Sequence, residues 1–255
     1  MARKHPVFGD QAASVKLLWK ETSAGRRGPK PALTLEQLVD AAIRLADAGG
    51  LAALSMEKLA REFGFTPMAL YRYVPGKAEL IDLMIDRGLG MPPAFEGEAT
   101  AWRDKLLHWA ESMAGVFRRH PWSLEATGHL RVMGPCELAW LEAGMGVLAP
   151  AGLTPDECHS ACLALVSQIR TSAQFSKAPA DGHQAMSGEQ WATATRALLE
   201  TREERYPQLS HVLSERREAG PPESGLTWVL DGIAARIERR KRKPAKGAAK
   251  VSNHS

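Results

Sequence analysis

Residues 63–80 read FGFTPMALYRYVPGKAEL and gather chemistry that the rest of the chain spreads thinly. The 255 residues include only 3 tyrosines, and two of them, Tyr71 and Tyr73, flank Arg72. A guanidinium offers parallel N–H donors that match paired acceptors such as guanine O6 and N7. A tyrosine hydroxyl reaches phosphate without adding charge. Small neighbours, here Thr66 and Ala69, can approach a thymine methyl. Lys77 can pair with phosphate at a helix start, where backbone N–H groups also attract anions. These groups suit the reading of a DNA groove better than the turnover of a substrate.

Such side chains need a short exposed helix held by a second one. Ser55 is placed to cap a helix carrying Met56, Leu59, Ala60 and Phe63 on one face, and Gly64 stops it. Thr66 is an N-cap candidate with Pro67 at the first helical position, where its missing N–H costs nothing. The spacing predicts a second helix to about Tyr73, broken by Pro75-Gly76, then a further helix from Lys77 to about Gly88. Two short helices across a glycine turn make a helix-turn-helix unit. Leu70 and Val74 anchor inward, Thr66, Ala69, Arg72 and Tyr73 point outward, and Tyr71 lies to one side. Upstream, Thr34 and Gln37 form a T-x-x-Q capping box before an apolar stripe that Gly49-Gly50 ends.

Helical periodicity dominates the remainder, and no two-residue alternation persists, so the fold class is all-α. The stretch MPPAFEGEAT, 91–100, is a boundary. Beyond it, helices are expected from Trp102 to His120, over 123–132, over 138–148, from Thr154 past Ile169, over 189–204 and from Leu226 past Ile237. Residues 176–188 read as a flexible loop. The resulting division is an N-terminal extension of 1–25 with no strong element of its own, a three-helix helix-turn-helix domain of 26–90, a helical domain of 91–240 and a basic disordered tail of 241–255. Within the extension, SVKLLWKE forms a short amphipathic turn that either packs on the domain or stays disordered.

The bulk numbers exclude several classes. Hydrophobic residues make up 44% and charged residues 24%, as in soluble globular proteins. No apolar run is long enough to span a bilayer, and residues 1–28 lack the apolar core of a signal peptide, so a cytoplasmic location is expected. The net charge of +4 is modest, so its distribution matters more: Arg26, Arg27 and Lys30 form a basic arm before the capped helix, and 239–250 form a basic tail. Such an arm can reach phosphates or the minor groove. Cys158 and Cys162 share a helix face beside His159, which reads as core packing rather than a metal or redox site. Gly144-x-Gly146 follows no strand and lacks a third glycine, so no nucleotide fingerprint exists, and nothing points to an enzyme or a cofactor.

Residues 26–88 resemble the DNA-binding domain of TetR-family transcriptional regulators, above all in the run ALYRYVPGKAEL. Weaker echoes of the tetracycline-repressor-like C-terminal domain follow in order: RRHPW, GPCELAWLEAG, AGLTPDE, RYPQL and GLTWVLDGI. The resemblance implies a homodimer that binds a double-stranded DNA operator and answers to a small hydrophobic or aromatic effector. Its DNA-binding residues would be Arg26, Arg27, Lys30, Ser55, Thr66, Pro67, Ala69, Tyr71, Arg72, Tyr73 and Lys77. Where tetracycline-type repressors carry a tyrosine–aromatic–histidine set, this chain has Tyr71-Arg72-Tyr73, so a different operator is expected. Candidate effector contacts are Trp102, Trp109, Met113, Phe117, Met133 and Trp140, with Gln168 and Thr171 as polar partners. The 155–175 and 223–240 helices would form the dimer bundle through Leu165, Ile169, Leu226, Val229, Leu230, Ile233 and Ile237. His129 falls near a family histidine that holds a drug-bound magnesium, but no ligand set surrounds it and no metal is expected. The alternative is a constitutive or architectural DNA-binding protein without an effector, which predicts a filled C-terminal core.

Overall fold

Thr34 opens the first long helix as its sequence predicts. Its hydroxyl accepts from the Gln37 N–H at 3.2 Å, and the Gln37 side chain accepts from the Thr34 N–H at 2.9 Å. Leu33 before the cap and Leu38 in the first turn are both buried, a hydrophobic staple that fixes the entering chain. The computed structural model describes residues 11–19, 33–95, 101–175, 188–215 and 225–242. Among these residues the regular structure is helical throughout: α1 (Ala12–Leu18), α2 (Leu35–Ala53), α3 (Met56–Glu62), α4 (Pro67–Leu70), α5 (Lys77–Leu89), α6 (Trp102–Arg119), α7 (Trp122–Ala126), α8 (Pro135–Leu148), α9 (Pro155–Phe175), α10 (Gly188–Leu199), α11 (Pro207–Glu215) and α12 (Gly225–Arg242).

Two buried clusters organise them. Leu38, Leu59, Leu70, Val74 and Leu80 join α2–α5 in the first. Leu106, Trp109, Trp140, Cys162, Leu165 and Ile233 join α6, α8, α9 and α12 in the second. The first cluster also takes in Trp122 and Ala126 of α7, so the core does not divide at the 91–100 boundary. Gly144 lets α8 approach α9 closely, since a Cβ there would come within 2.9 Å of Cys162 Sγ. The cysteines are packing groups: burial pushes the Cys162 thiol up to about 12, with Cys158 beside it adding to the shift.

Several expectations change. At Gly49-Gly50 the chain leaves helical geometry, with φ of −147 and 71, yet resumes one turn to Ala53. The helix expected over 123–132 is only Trp122–Ala126, because Gly128 and the following segment run as an irregular loop. The helix expected to 204 stops at Leu199, and α11 follows, unannounced by a long apolar stripe. Residues 12–18 of the extension are a docked helix rather than disordered chain. Of the expected loop at 176–188, Gly188 instead opens α10, and Lys241 and Arg242 of the expected tail end α12; the rest of both, and the arm residues Arg26, Arg27 and Lys30, lie outside the described residues.

Five residues assigned to a dimer surface (Leu165, Ile169, Leu230, Ile233 and Ile237) are buried in the second core of the protomer itself. Leu226 and Val229 are half-buried against the same core. Periodicity correctly found the apolar faces of α9 and α12, but within the protomer those faces pack into the core they share with α6 and α8.

Glu157 fastens that pair. Its carboxylate accepts from the Thr154 N–H at 2.9 Å, from Arg236 Nε at 2.6 Å and from Arg240 Nε at 3.0 Å. The Thr154 backbone bond, then Arg240 and Arg236, hold its pKa down from 4.5 to about 2. A depressed carboxylate pKa adds stability above the unfolded value and loses it as pH falls through the folded one. Glu157→Gln should therefore lower thermal stability at pH 7. The gap between variant and wild type should close as the pH drops from 4.5 to about 2. Thermal unfolding followed by circular dichroism across that range is the check.

Candidate functional site

The opening stretch forms a compact reading head. The Ser55 hydroxyl caps α3 by accepting from the Lys58 N–H at 3.2 Å. Gly64, at φ +69, turns the chain, and the Phe65 N–H closes the turn on the Ala60 carbonyl at 2.9 Å. α4 has only four α-helical residues; a tight turn continues through Tyr73, whose N–H bonds to the Leu70 carbonyl at 2.9 Å. Leu70 and Val74 are fully buried, as their spacing requires. Thr66, Tyr71 and Arg72 are exposed, with Pro67 and Ala69 half-covered beside them.

Three details depart from the sequence reading. Thr66 makes no side-chain cap bond, which leaves its hydroxyl on the outer face. Tyr73 packs partly against the first core instead of pointing outward. Lys77 Nζ donates to the Leu51 carbonyl at 3.0 Å, tying α5 to the end of α2, so any phosphate contact must share that ammonium. Met68 was missed. It is 74% exposed on α4, an apolar group on the outer face of the reading head that can meet a thymine methyl.

A second feature lies among α5–α9: a cavity of about 250 Å3. Trp109, Met113, Phe117, Met133 and Trp140 line it as expected. Trp102 instead packs against the second core, Thr171 is exposed, and Gln168 lies against Gly225 and donates to Ser172 Oγ at 3.3 Å. Ile85, Gly88 and Leu89 of α5 supply one wall, and His159, Leu163, Val166 and Arg170 of α9 supply another. The α9 wall repeats at helical spacing, one residue on from the Cys158-Cys162-Leu165-Ile169 core stripe. His129 also lines the cavity, but among the described residues no cluster of three or more His, Cys, Asp or Glu side chains could hold a metal ion.

Polar bonds join the cavity walls to α5 and α2. Buried Asp86 of α5 accepts from the Cys136 and Glu137 N–H groups at 2.8 and 3.3 Å, capping α8 from another helix. Gly134 is required there, because a Cβ would collide with the Asp86 carboxylate. Trp140 Nε1 donates to the Gly90 carbonyl at 2.9 Å. On the other flank, Asp47 of α2 accepts from Trp122 Nε1 at 2.7 Å and lies 2.9 Å from His120 Nδ1. α1 adds a strap. Ser14 Oγ donates to Asp82 of α5 at 2.5 Å, Gln11 accepts from the Val132 N–H at 2.8 Å, and Trp19 Nε1 donates to the Met133 carbonyl at 3.2 Å.

Comparison with known proteins matches both halves of the chain. The pattern "Bacterial regulatory proteins, tetR family" matches residues 38–84, and "Tetracyclin repressor-like, C-terminal domain" matches residues 94–237. The chain belongs to the TetR family. It is 35% identical over 244 residues to the HTH-type transcriptional repressor DrrR1 of Streptomyces coeruleorubidus, covering 91% of this chain and 89% of that one. An HTH-type transcriptional regulator of Saccharopolyspora erythraea is 30% identical over 181 residues, covering 71% of this chain and 75% of that one. Among solved structures, the TetR family protein ActR of Streptomyces coelicolor in complex with actinorhodin superimposes with a TM-score of 0.67 at 26% identity, covering 80% of this chain and 98% of ActR. The present protein is thus a DNA-binding transcriptional regulator of the TetR family and not an enzyme.

The Asp86 bonds give this site its own prediction. Asp86→Ala strands two backbone donors at the start of α8, and loss of a buried acceptor costs about 1–3 kcal/mol. Urea unfolding should show that loss, and Asp86→Asn, which keeps one acceptor oxygen, should recover part of it.

Proposed function

We propose that the regulator is a ligand-responsive repressor that acts as a homodimer on a near-palindromic operator. The observation that carries this reading is that the cavity and the reading head share α5. Ile85, Gly88 and Leu89 wall the cavity at one end of that helix, and Lys77 follows the reading head at the other. A small hydrophobic or aromatic effector in the cavity would favour one orientation of α5 over another. It shifts the population only as far as its affinities for the two forms differ. ActR has been solved with actinorhodin and with (S)-DNPA, which supports reading the corresponding region here as an effector site. A constitutive or architectural protein predicts a filled core in this half, and the cavity weighs against that alternative.

In this reading residues 26–90 bind DNA and 91–240 bind effector and partner. Arg72 and Met68 face the bases, Tyr71 and Ser55 face phosphates, and the basic arm Arg26-Arg27-Lys30 adds phosphate contacts. Two copies place their heads one or more helical turns of DNA apart, at about 34–36 Å per turn. The dimer surface is the outer side of α9 and α12, where Ser160, Ala164 and Gly232 leave room for close helix approach. Among the described residues no helix is long and apolar enough to cross a membrane, and the regulator works in the cytoplasm beside its DNA.

Selection of bound sequences from a random duplex library, at two salt concentrations, should enrich a palindromic site. General, salt-sensitive binding without enrichment would favour the architectural alternative. On the selected site, Arg72→Ala should relax preference at one position per half-site and cost about 1–3 kcal/mol. The dimer surface has a separate test. A side chain at Gly232 meets nothing within 4 Å in the protomer, so Gly232→Arg should leave the fold intact and still give monomers in sedimentation. A dimer unchanged by it would put the interface elsewhere.

A further inference from the structure

The cavity holds two guanidinium groups, and only one has a partner acid. Arg131 is neutralised by Glu137 at 2.5 Å, with Asp82 at 3.8 Å. Arg170 is half-buried, and its bonds go to neutral acceptors: NH2 donates to the Leu124 carbonyl at 2.8 Å and NH1 to the Thr127 hydroxyl. Among the described residues no Asp or Glu pairs with it. Its guanidinium also sits 5.7 Å from the centre of the Phe117 ring. Burial pulls the Arg170 pKa down, with no acid nearby to offset it. Arginine nonetheless stays charged in proteins.

The group is also fixed in place. Thr127 donates its own hydroxyl to the Ser123 carbonyl at 2.6 Å, so the oxygen that receives Arg170 is held by α7. With one N–H on Thr127 and one on Leu124, the guanidinium keeps further donors toward the cavity that it lines. A half-buried charge with no counter-ion is unfavourable, and a carboxylate or phenolate meeting it forms a charge-assisted bond about twice as strong as a neutral one. The other walls are mainly apolar: Phe117, Met113 and Met133 with Ile85, Leu89, Leu163 and Val166. Trp109 and Trp140 lie 5.8 Å apart at a tilt of 59°, with Phe117 nearby. The volume of about 250 Å3 exceeds the ~150 Å3 that takes a benzene.

We propose that the cavity takes an aromatic acid, its apolar body against Phe117 and the aliphatic walls and its carboxylate or ionised phenol on Arg170. This rests on the reading of the cavity as the effector site. Arg170 then sets effector charge, while the apolar walls set effector shape.

Two matched probes separate the inference from the reading beneath it: anthraquinone-2-carboxylate and its neutral carboxamide, titrated calorimetrically into the full chain. The acid should bind roughly tenfold or more tightly than the amide. In Arg170→Leu and in Arg170→Gln, each checked for a native thermal transition, the acid should fall to the affinity of the amide, and the amide should hardly change. Equal binding of both probes to wild type would overturn the charge preference and leave an effector cavity standing. Preference for the acid that survives both variants would remove Arg170 from the role. Binding of neither probe, together with no release of the selected operator by either, would overturn the proposal and count against the effector cavity as well.

Discussion

The structure turns on one carboxylate. Every helix begins with N–H groups that have no partner in their own helix. α8 borrows its acceptor from Asp86, fifty residues earlier in the chain, on the helix that follows the reading head. The bond is buried, and Gly134 keeps the space for it, so neither helix can shift alone without exposing a charge or stranding a donor. Other contacts reinforce the same union. Arg87 grips Asp40 with two bonds at 2.9 and 3.1 Å, fixing α5 to α2, and Asp47 reaches from α2 to Trp122 and His120. The two hydrophobic cores are therefore mechanically one object along α5.

Much of this could be read in the sequence where local rules decide the outcome. Thr34 and Gln37, Ser55, Gly64, Pro67 and Thr154 mark helix ends, and the structure puts ends there, because capping bonds and backbone angles depend on near neighbours. Leu70 and Val74 pointed inward for the same reason. What could not be read depended on partners distant in the chain. The stripe Leu165-Ile169 and the stripe Leu230-Ile233-Ile237 were visibly apolar, but periodicity cannot say whether such faces meet each other or a second copy. Tyr73 looked outward until the first core offered it a surface. Arg170 carried no signal, since one arginine in a helix usually faces water. Only α7, folded against α9, reveals it as a half-buried cation.

The strap α1 makes the cavity rim part of this object. Residues 128–133 pass the cavity mouth as irregular chain, with Leu130 fully exposed, and an irregular segment moves more readily than a packed helix. Gln11 and Trp19 hold the rim by its Val132 N–H and Met133 carbonyl, while Ser14 holds α5. The rim is thus tied to α5 through α1 as well as through Asp86.

The geometry of α5 explains why a small displacement can matter to DNA in the function proposed above. The helix has 13 residues and is about 20 Å long. A tilt of about 10° at the cavity end moves the far end by roughly 3 Å, about the length of a hydrogen bond. A base-edge contact does not survive such an error, and in a two-fold dimer the errors of the two heads add across the half-site spacing. The interactions that stiffen α5 are therefore the ones that would let an effector cavity act on DNA it never touches. A softer joint would absorb the effector's push locally. The buried carboxylate at its centre is what prevents that.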